Sequence, residues 1–328
     1  MEKKIVLSGM RPTGRLHIGH WVGALSNWVS LQNEYNCFFM VADWHAIMSE
    51  YKDPSLIKEY SLDNVADWLS WGVNPKQAVV FVQSEVKEHI ELFMLLSFIT
   101  PLGWLSRCPT FKEQVQQLKE KEVNTYAFLG YPTLQSADIT LYKADCVPVG
   151  EDQLPHLEMC REVVRRFNFL YKNKVLVEPQ PLLTKESRLL GLDCRKMSKS
   201  YGNFIALDED VDSIRRKVLS MITDPARIKK DDPGHPDICN VFTYHSVFNP
   251  AIKDEVCDWC VNAKKGCKDC KVLLADTLND FIAPKREEKT KLLKDKKYLT
   301  EVLDSGKEKA SSVAGATLKQ VKEAMKLR

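Results

Sequence analysis

Apolar residues in the first half of the chain come in short runs separated by longer stretches with helical spacing. "KKIVLSG" predicts a strand, and "GHWVGALSNWVSLQNEY" predicts a helix. "NCFFMVADW" predicts a second strand, and its apolar run without polar alternation suits burial on both faces of a parallel sheet. "DPSLIKEYSLDNVADWLSWG" has an Asp-Pro start, helical periodicity and Gly72 as a C-terminal cap. "QAVVFVQS" predicts a third strand. Strand, helix, strand, helix, strand means α/β with a parallel sheet, whose ligands bind beyond the carboxyl ends of the strands. Ser8 to Gly14 falls at such an end.

Near Ser200 the pattern changes. "DEDVDSIRRKVLSMI", "NPAIKDEVCDWCVNA", "CKVLLADTLNDFIAPKREEKTKLLKD" and "GATLKQVKEAMKLR" all have helical spacing, with no convincing strand between them. The polar, Pro-rich "TDPARIKKDDPGHPD" predicts a loop or hinge, and no internal repeat is found. The expected architecture is a parallel-sheet domain over residues 1–190 and a smaller helical domain over 191–291. The last helix, about 292–328, is expected to pack back on the first domain.

Composition adds little to this. With 328 residues, 44% hydrophobic and 28% charged, the chain is ordinary globular material for about two domains. No apolar run reaches the roughly 18 residues of a membrane helix, and the start lacks a secretory signal, so a cytoplasmic protein with no membrane partner is expected. The net charge of +3 is too small to argue for nucleic acid. Its distribution is uneven, because Lys285 to Arg328 carries thirteen Lys or Arg against seven Asp or Glu. That surplus serves either a solvated helical face or a tail that meets a polyanion.

The stretch "SGMRPTGRLHIGHWVGAL", Ser8 to Leu25, carries candidate chemistry. It nearly spells a phosphate-binding loop, but Arg15 and Leu16 stand where that loop needs Lys and then Ser or Thr. A strand-to-helix turn here offers backbone N–H groups and the positive end of a helix dipole. His17 and His20, three apart, share a face and can meet one phosphate chain. Gly19 leaves room for a flat ligand against the backbone. "KMSKS", Lys196 to Ser200, places two lysines three apart, mobile cations suited to charge developing on a leaving pyrophosphate. Each motif alone also describes ordinary surface residues; together, on this chain, they are specific.

The pair "HIGH" and "KMSKS" resembles the class I aminoacyl-tRNA synthetases. "YPTLQSADITLYKADCVPVGEDQLPHLEMCREVVRRFN", Tyr131 to Asn168, is similar over its whole length to the substrate-binding block of the bacterial tryptophanyl-tRNA synthetases. So are "VADWHAI", "HIELFMLLSFITPLGWLSRCPTFKEQ" and "KMSKSYGN". The resemblance runs from about residue 3 to 205 and continues, weaker but collinear, through the helical remainder.

The resemblance implies a Rossmann-type catalytic domain and an all-helical anticodon-binding domain. It implies activation of L-tryptophan by ATP with Mg²⁺, then transfer to tRNA(Trp) by a homodimer, with no DNA partner. Arg11, Pro12, Thr13, Gly19, His20, Gly150, Glu151 and Asp152 match ATP positions, and Leu189 matches a backbone contact to adenine. The catalytic set is His17, His20, Lys196 and Lys199. Lys196, Met197, Ser198, Lys199 and Ser200 match the loop that closes on the pyrophosphate. Asp138 matches the acid that accepts the indole N–H, and a buried acceptor rejects phenylalanine because it is left unpaired. Without that resemblance Asp138 also reads as a turn or cap carboxylate. Tyr131, His45 and Gln153 match residues around the amino acid's ammonium and carboxylate, and Gln135 matches a position lining the indole pocket. Two positions depart: Arg11 stands where many relatives carry Gln, and Gln135 where many carry an apolar residue. Tyrosyl-tRNA synthetases also use an Asp, so Asp138 alone does not separate the two. The apolar stretch "ELFMLLSFITPLGWL" suits a dimer interface, although core packing gives the same pattern.

Of ten cysteines, Cys239, Cys257, Cys260, Cys267 and Cys270 crowd into one region, the last four as two C-x-x-C pairs. In a cytoplasmic protein this points to a metal rather than disulfides. Four thiolates suit Zn²⁺ or an iron–sulfur cluster. Cys239, Cys260, Cys267 and Cys270 are the expected set, with Cys257 as the spare. Some bacterial members of the resembled family carry a [4Fe–4S] cluster in this region.

Overall fold

The computed structural model describes residues 3–107, 123, 125–183, 189–197 and 201–328. The chain divides into two compact units: residues 1–14, 27–185 and 295–328 form one, residues 15–26 and 186–294 the other. The "HIGH" stretch therefore groups with the second unit.

In the first unit, β1 (Ile5–Met10), β2 (Asn36–Val41), β3 (Ala78–Val82), β4 (Cys146–Val149) and β5 (Gln180–Leu183) make one parallel sheet in the order 3-2-1-4-5. The first three coincide with the apolar runs. In β2 every residue from Cys37 to Val41 is buried, which an open-faced strand would not show. β4 and β5 escape the sequence reading because each has only four residues and contains a proline, which weakens any strand signal. The crossovers run through α1 (Ser26–Glu34), α2 (Asp43–Glu50), α3 (Ile57–Ser70), α4 (Glu88–Ser97), α5 (Leu102–Arg107), α6 (Tyr131–Leu141) and α7 (Leu154–Leu170). The predicted helix over Gly19–Tyr35 is broken: a single turn at Ile18–His20 and a π-helical stretch at Trp21–Leu25 precede α1.

Both sheet faces are packed. On one, Trp28 of α1 stacks on Phe39 with ring centroids 4.4 Å apart and meets Trp68 of α3 edge-on. Such pairs contribute about 0.5–1.5 kcal/mol beyond their burial. The side-chain amide of Gln32 donates to the Gly72 carbonyl at 2.9 Å and accepts from the Asn74 backbone at 2.8 Å, closing the turn after α3. Gly72 sits there at φ +112, so the predicted cap is a true left-handed position. The other face is covered by α4, α6, α7 and the C-terminal helix, Lys296–Ala324, through Leu92, Leu96, Ala137, Val163, Phe167, Ala310, Ala314 and Leu318.

The C-terminal helix lies directly on edge strand β3. At Gly306 an added Cβ would collide with the Val80 carbonyl group, its carbon 2.7 Å away. Lys322 on the same helix pairs with Glu91 at 2.6 Å.

The second unit is built on α8 (Val211–Ser220), α9 (Asn240–Phe248), α10 (Lys253–Val261) and α11 (Cys267–Lys294). Asp210 caps α8 by accepting from the Ser213 N–H at 2.8 Å. Lys289 of α11 is buried and pairs with Asp208 at 3.0 Å, and Arg15 bonds the other oxygen of the same carboxylate. Burial pushes the Asp208 pKa up, but Lys289 and Arg15 outweigh it and hold it below the usual range. Among the described residues no helix is long and apolar enough to cross a membrane.

Candidate functional site

Because the sheet is parallel, the segments leaving β1, β2, β3 and β4 emerge at one end. The strand order reverses between β1 and β4, the crevice where such sheets take ligands. Arg11, Pro12 and Thr13 follow β1, with Arg11 exposed and the Thr13 N–H bonded to the Arg11 carbonyl at 2.9 Å. Gly150 follows β4 and leads into a 3₁₀ turn at Glu151–Gln153, which contains Asp152. His45 sits in the first turns of α2, after β2. Gln83 begins the 3₁₀ turn after β3, and Tyr131, Gln135 and Asp138 lie on α6.

Asp138 is the centre of this arrangement. It is 2% exposed and accepts three hydrogen bonds: from His45 Nε2 at 2.8 Å, from Gln83 Nε2 at 2.9 Å and from His89 Nδ1 at 2.7 Å. Burial alone raises its pKa, but the bonds from His45 and His89 outweigh it and bring the carboxyl to about 2. The acid is thus an anion held by donors rather than a helix cap. Nearby, the Tyr131 ring meets His45 edge-on at 5.0 Å and His156 at 5.2 Å. Nδ1 of His45 and the side-chain oxygens of Gln83 and Gln135 are buried without a hydrogen-bond partner among the described residues. The surroundings of Asp138 are therefore rich in acceptors, which suits a ligand bearing N–H groups.

In the second unit, residues 16–18 run beside 205–207. The Ile18 N–H donates to the Ile205 carbonyl and the Leu207 N–H to the Leu16 carbonyl, each at 3.0 Å, with His17 bridged antiparallel to Ala206. This ladder ties the "HIGH" turn to the segment just after "KMSKS". The rings of His17 and His20 lie 3.8 Å apart, and the His17 backbone N–H donates to His20 Nδ1 at 3.1 Å. With Nδ1 accepting, a neutral His20 ring carries its proton on Nε2, a donor suited to a phosphate oxygen. Gly19 is not an open platform for a flat ligand: a Cβ there would lie 2.8 Å from the Met197 sulfur, so the thioether occupies that face. Leu189 is buried, Lys196 is exposed, and the Lys196 carbonyl accepts from the Asn203 side-chain amide at 3.1 Å. Ser198, Lys199 and Ser200 lie outside the described residues.

The model of the family described as "tRNA synthetases class I (W and Y)" matches residues 1–283. The chain belongs to this family. It is 48% identical to the tryptophan–tRNA ligase of Thermotoga maritima, covering 98% of this chain and 99% of that one. It is 43% identical to the tryptophan–tRNA ligase of Ralstonia nicotianae, covering 98% of each. Among solved structures it resembles the Campylobacter jejuni tryptophanyl-tRNA synthetase complexed with ADP and tryptophan. The TM-score is 0.89 at 31% identity, over 98% of this chain and all of that one.

For a class I synthetase of this group, three residues around the acid went unread in the sequence: Gln83, His89 and Tyr142, all fully buried. One signal was available. His89 occupies the core face of α4 with Leu92 and Leu96, where a polar residue is out of pattern. The synthetase's interface candidate, Glu91 to Leu105, is half core: Leu92, Leu95, Leu96 and Ile99 are buried, while Met94, Phe98 and Leu102, and Ile90 just ahead of it, are exposed. Cys108 to Gln114, the end of the family block that begins at His89, lies outside the described residues.

Of the five clustered cysteines, Cys239, Cys260, Cys267 and Cys270 line one small cavity, together with Arg227, Trp259 and Lys265. Cys257 does not line it. The Arg227 guanidinium reaches the Cys267 sulfur at 3.9 Å. Burial and the neighbouring thiols push Cys270 up to about 12. Among the described residues no group of three His, Cys, Asp or Glu side chains is drawn together to hold a metal ion.

Proposed function

We propose that this synthetase is a tryptophan–tRNA ligase. The tryptophan carboxylate attacks the α-phosphate of ATP in line, expelling pyrophosphate to give tryptophanyl-adenylate. The 3′-terminal adenosine of tRNA(Trp) then takes the acyl group and AMP leaves. This chemistry needs positioning and charge stabilisation, and no covalent intermediate on the protein. The observation that carries the reading is the buried, ionised Asp138 in acceptor-rich surroundings, on a chain matched end to end by tryptophan–tRNA ligases. Asp138 takes the indole N–H, with Tyr131, His45, Gln135 and Gln153 around the amino acid. Arg11, Pro12, Thr13, Gly150, Glu151 and Asp152 are assigned to ATP, which arrives with Mg²⁺. Leu189 and the segment 196–200 complete the nucleotide set, with His17, His20, Lys196 and Lys199 on the phosphates. The enzyme works in the cytoplasm. In ATP–pyrophosphate exchange across all twenty amino acids, tryptophan should stimulate at least about a hundredfold more than tyrosine. Equal stimulation by tyrosine reassigns the enzyme to the tyrosyl branch.

The four thiols on one cavity, with Arg227 and Lys265 beside them, suit an anionic thiolate set around a [4Fe–4S] cluster, with zinc as the rival occupant. Bound metal would deprotonate Cys260 and Cys270, which burial otherwise holds protonated. Protein purified without oxygen should carry about four iron and four sulfide per chain. Cys267→Ser should lose them and Cys257→Ser keep them. One zinc and no iron assigns zinc, and metal-free, fully active protein removes the site.

The exposed face of Ile90, Met94, Phe98 and Leu102 is proposed as the surface two copies bury. Phe98→Glu should convert a dimer to a monomer in sedimentation velocity at micromolar concentration. An unchanged dimer places the interface elsewhere.

A further inference from the structure

Asp138 has more partners than recognition of one N–H requires, and they are unevenly shared. An ionised carboxylate offers about four acceptor positions, two on each oxygen. Among the described residues, Oδ1 takes both Gln83 Nε2 and His89 Nδ1, whereas Oδ2 takes only His45 Nε2. His89 is in turn bonded through Nε2 to the Tyr142 hydroxyl at 2.8 Å. We propose that Tyr142, His89 and Gln83 form a positioning relay that saturates Oδ1 and turns the remaining acceptor position of Oδ2 toward the substrate's indole N–H. The inference rests on the tryptophan–tRNA ligase reading of the site.

The direction of the relay follows from its members. A carboxylate anion only accepts, so Nδ1 of His89 must carry a proton toward Oδ1. A neutral imidazole then has a lone pair at Nε2, and the Tyr142 phenol donates into it. Burial, with Asp138 and Glu88 nearby, pushes the phenol's pKa well above its usual value, so the phenol keeps its proton to give. No charge beyond Asp138 is needed anywhere in the chain.

The surroundings hold it in place. Asp138 and Tyr142 are four apart, so α6 presents both toward His89 on α4. The Tyr142 ring is stacked by Phe38 at 4.7 Å and flanked by Phe81 at 5.5 Å, and Phe81 also stacks against His89 at 6.0 Å. Gln83 is held through its neighbour, because Asp43 accepts from both the backbone N–H and the hydroxyl of Ser84. Each relay member is fully buried, so none loses its bond to water. If either donor to Oδ1 is lost, the carboxylate can rotate or offer the wrong oxygen, and the penalty for a substrate lacking the N–H falls.

The test measures kcat/KM in ATP–pyrophosphate exchange for L-tryptophan and for 3-(1-benzothiophen-3-yl)-L-alanine, in which sulfur replaces the N–H. Wild-type protein, Tyr142→Phe and His89→Gln are compared, with thermal unfolding monitored alongside. Tyr142→Phe deletes one hydroxyl and keeps the ring, so it folds even if His89→Gln does not. It should raise KM for tryptophan about three- to tenfold, leave KM for ATP unchanged, and narrow the tryptophan-to-analogue ratio by a similar factor. His89→Gln should narrow the ratio further. A variant that slows both substrates equally, keeping the ratio, reduces the relay to core packing and overturns the proposal. If wild-type protein shows no tryptophan-dependent exchange, the ligase reading itself fails, and the wild-type lane alone shows it.

Discussion

Asp138→Asn should lower tryptophan-dependent ATP–pyrophosphate exchange by at least about a hundredfold and also destabilise the fold. The substitution is nearly isosteric, yet it is severe here because of what surrounds the side chain. Gln83, His45 and His89 all point toward the carboxylate within 2.9 Å. The anion accepts from all three. An amide has one accepting oxygen, and its NH₂ must face a donor, which leaves buried donors unpaired at roughly 1–3 kcal/mol each. The loss should therefore appear in kcat/KM for tryptophan and in the melting temperature, with KM for ATP little changed. Activity within threefold of wild type would show that the acid is not the substrate's acceptor.

Gly306→Ala should destabilise the protein by about 2–3 kcal/mol, while Gly315→Ala, nine residues along the same helix, should be neutral or stabilising by up to about 1 kcal/mol. Helix propensity alone favours alanine at both sites. What separates them is space. At Gly306 the new methyl would collide with the backbone of β3, which cannot swing aside, whereas at Gly315 its nearest neighbour is the flexible end of Glu88 at 3.9 Å. Thermal and urea unfolding of the two single variants measures the contrast. Equal effects would mean that the C-terminal helix slides on the sheet rather than being seated on it.

How much was legible depends on how locally each feature is encoded. The strands β2 and β3 stand out because each carries five consecutive apolar residues, as a sheet covered on both faces requires, and β1 is marked by the shorter run Ile5 to Leu7. β4 and β5 do not, since Pro148 and Pro181 interrupt runs only four residues long. Asp138, His45 and Tyr131 were legible through the family block that carries them. Gln83, His89 and Tyr142 were not, because their role exists only once β3, α4 and α6 are packed together. The cysteine spacing pointed to a gathered set, but the positive partner, Arg227, comes from a Pro-rich loop with no pattern of its own. Gly19 was read for its missing side chain, and the group that fills the space, the Met197 sulfur, is 178 residues away in the chain.

The seating of the last helix on β3 also bears on how the chain is made. About two hundred residues separate Val82 from Lys296, so at roughly 5–20 residues per second the ribosome needs on the order of ten to forty seconds to deliver the cover for that strand. For that interval the emerging polypeptide displays a bare, aggregation-prone border of hydrogen-bonding groups. Emergence of that helix, more than emergence of the Rossmann sequence, is the moment at which this strand is shielded from its neighbours.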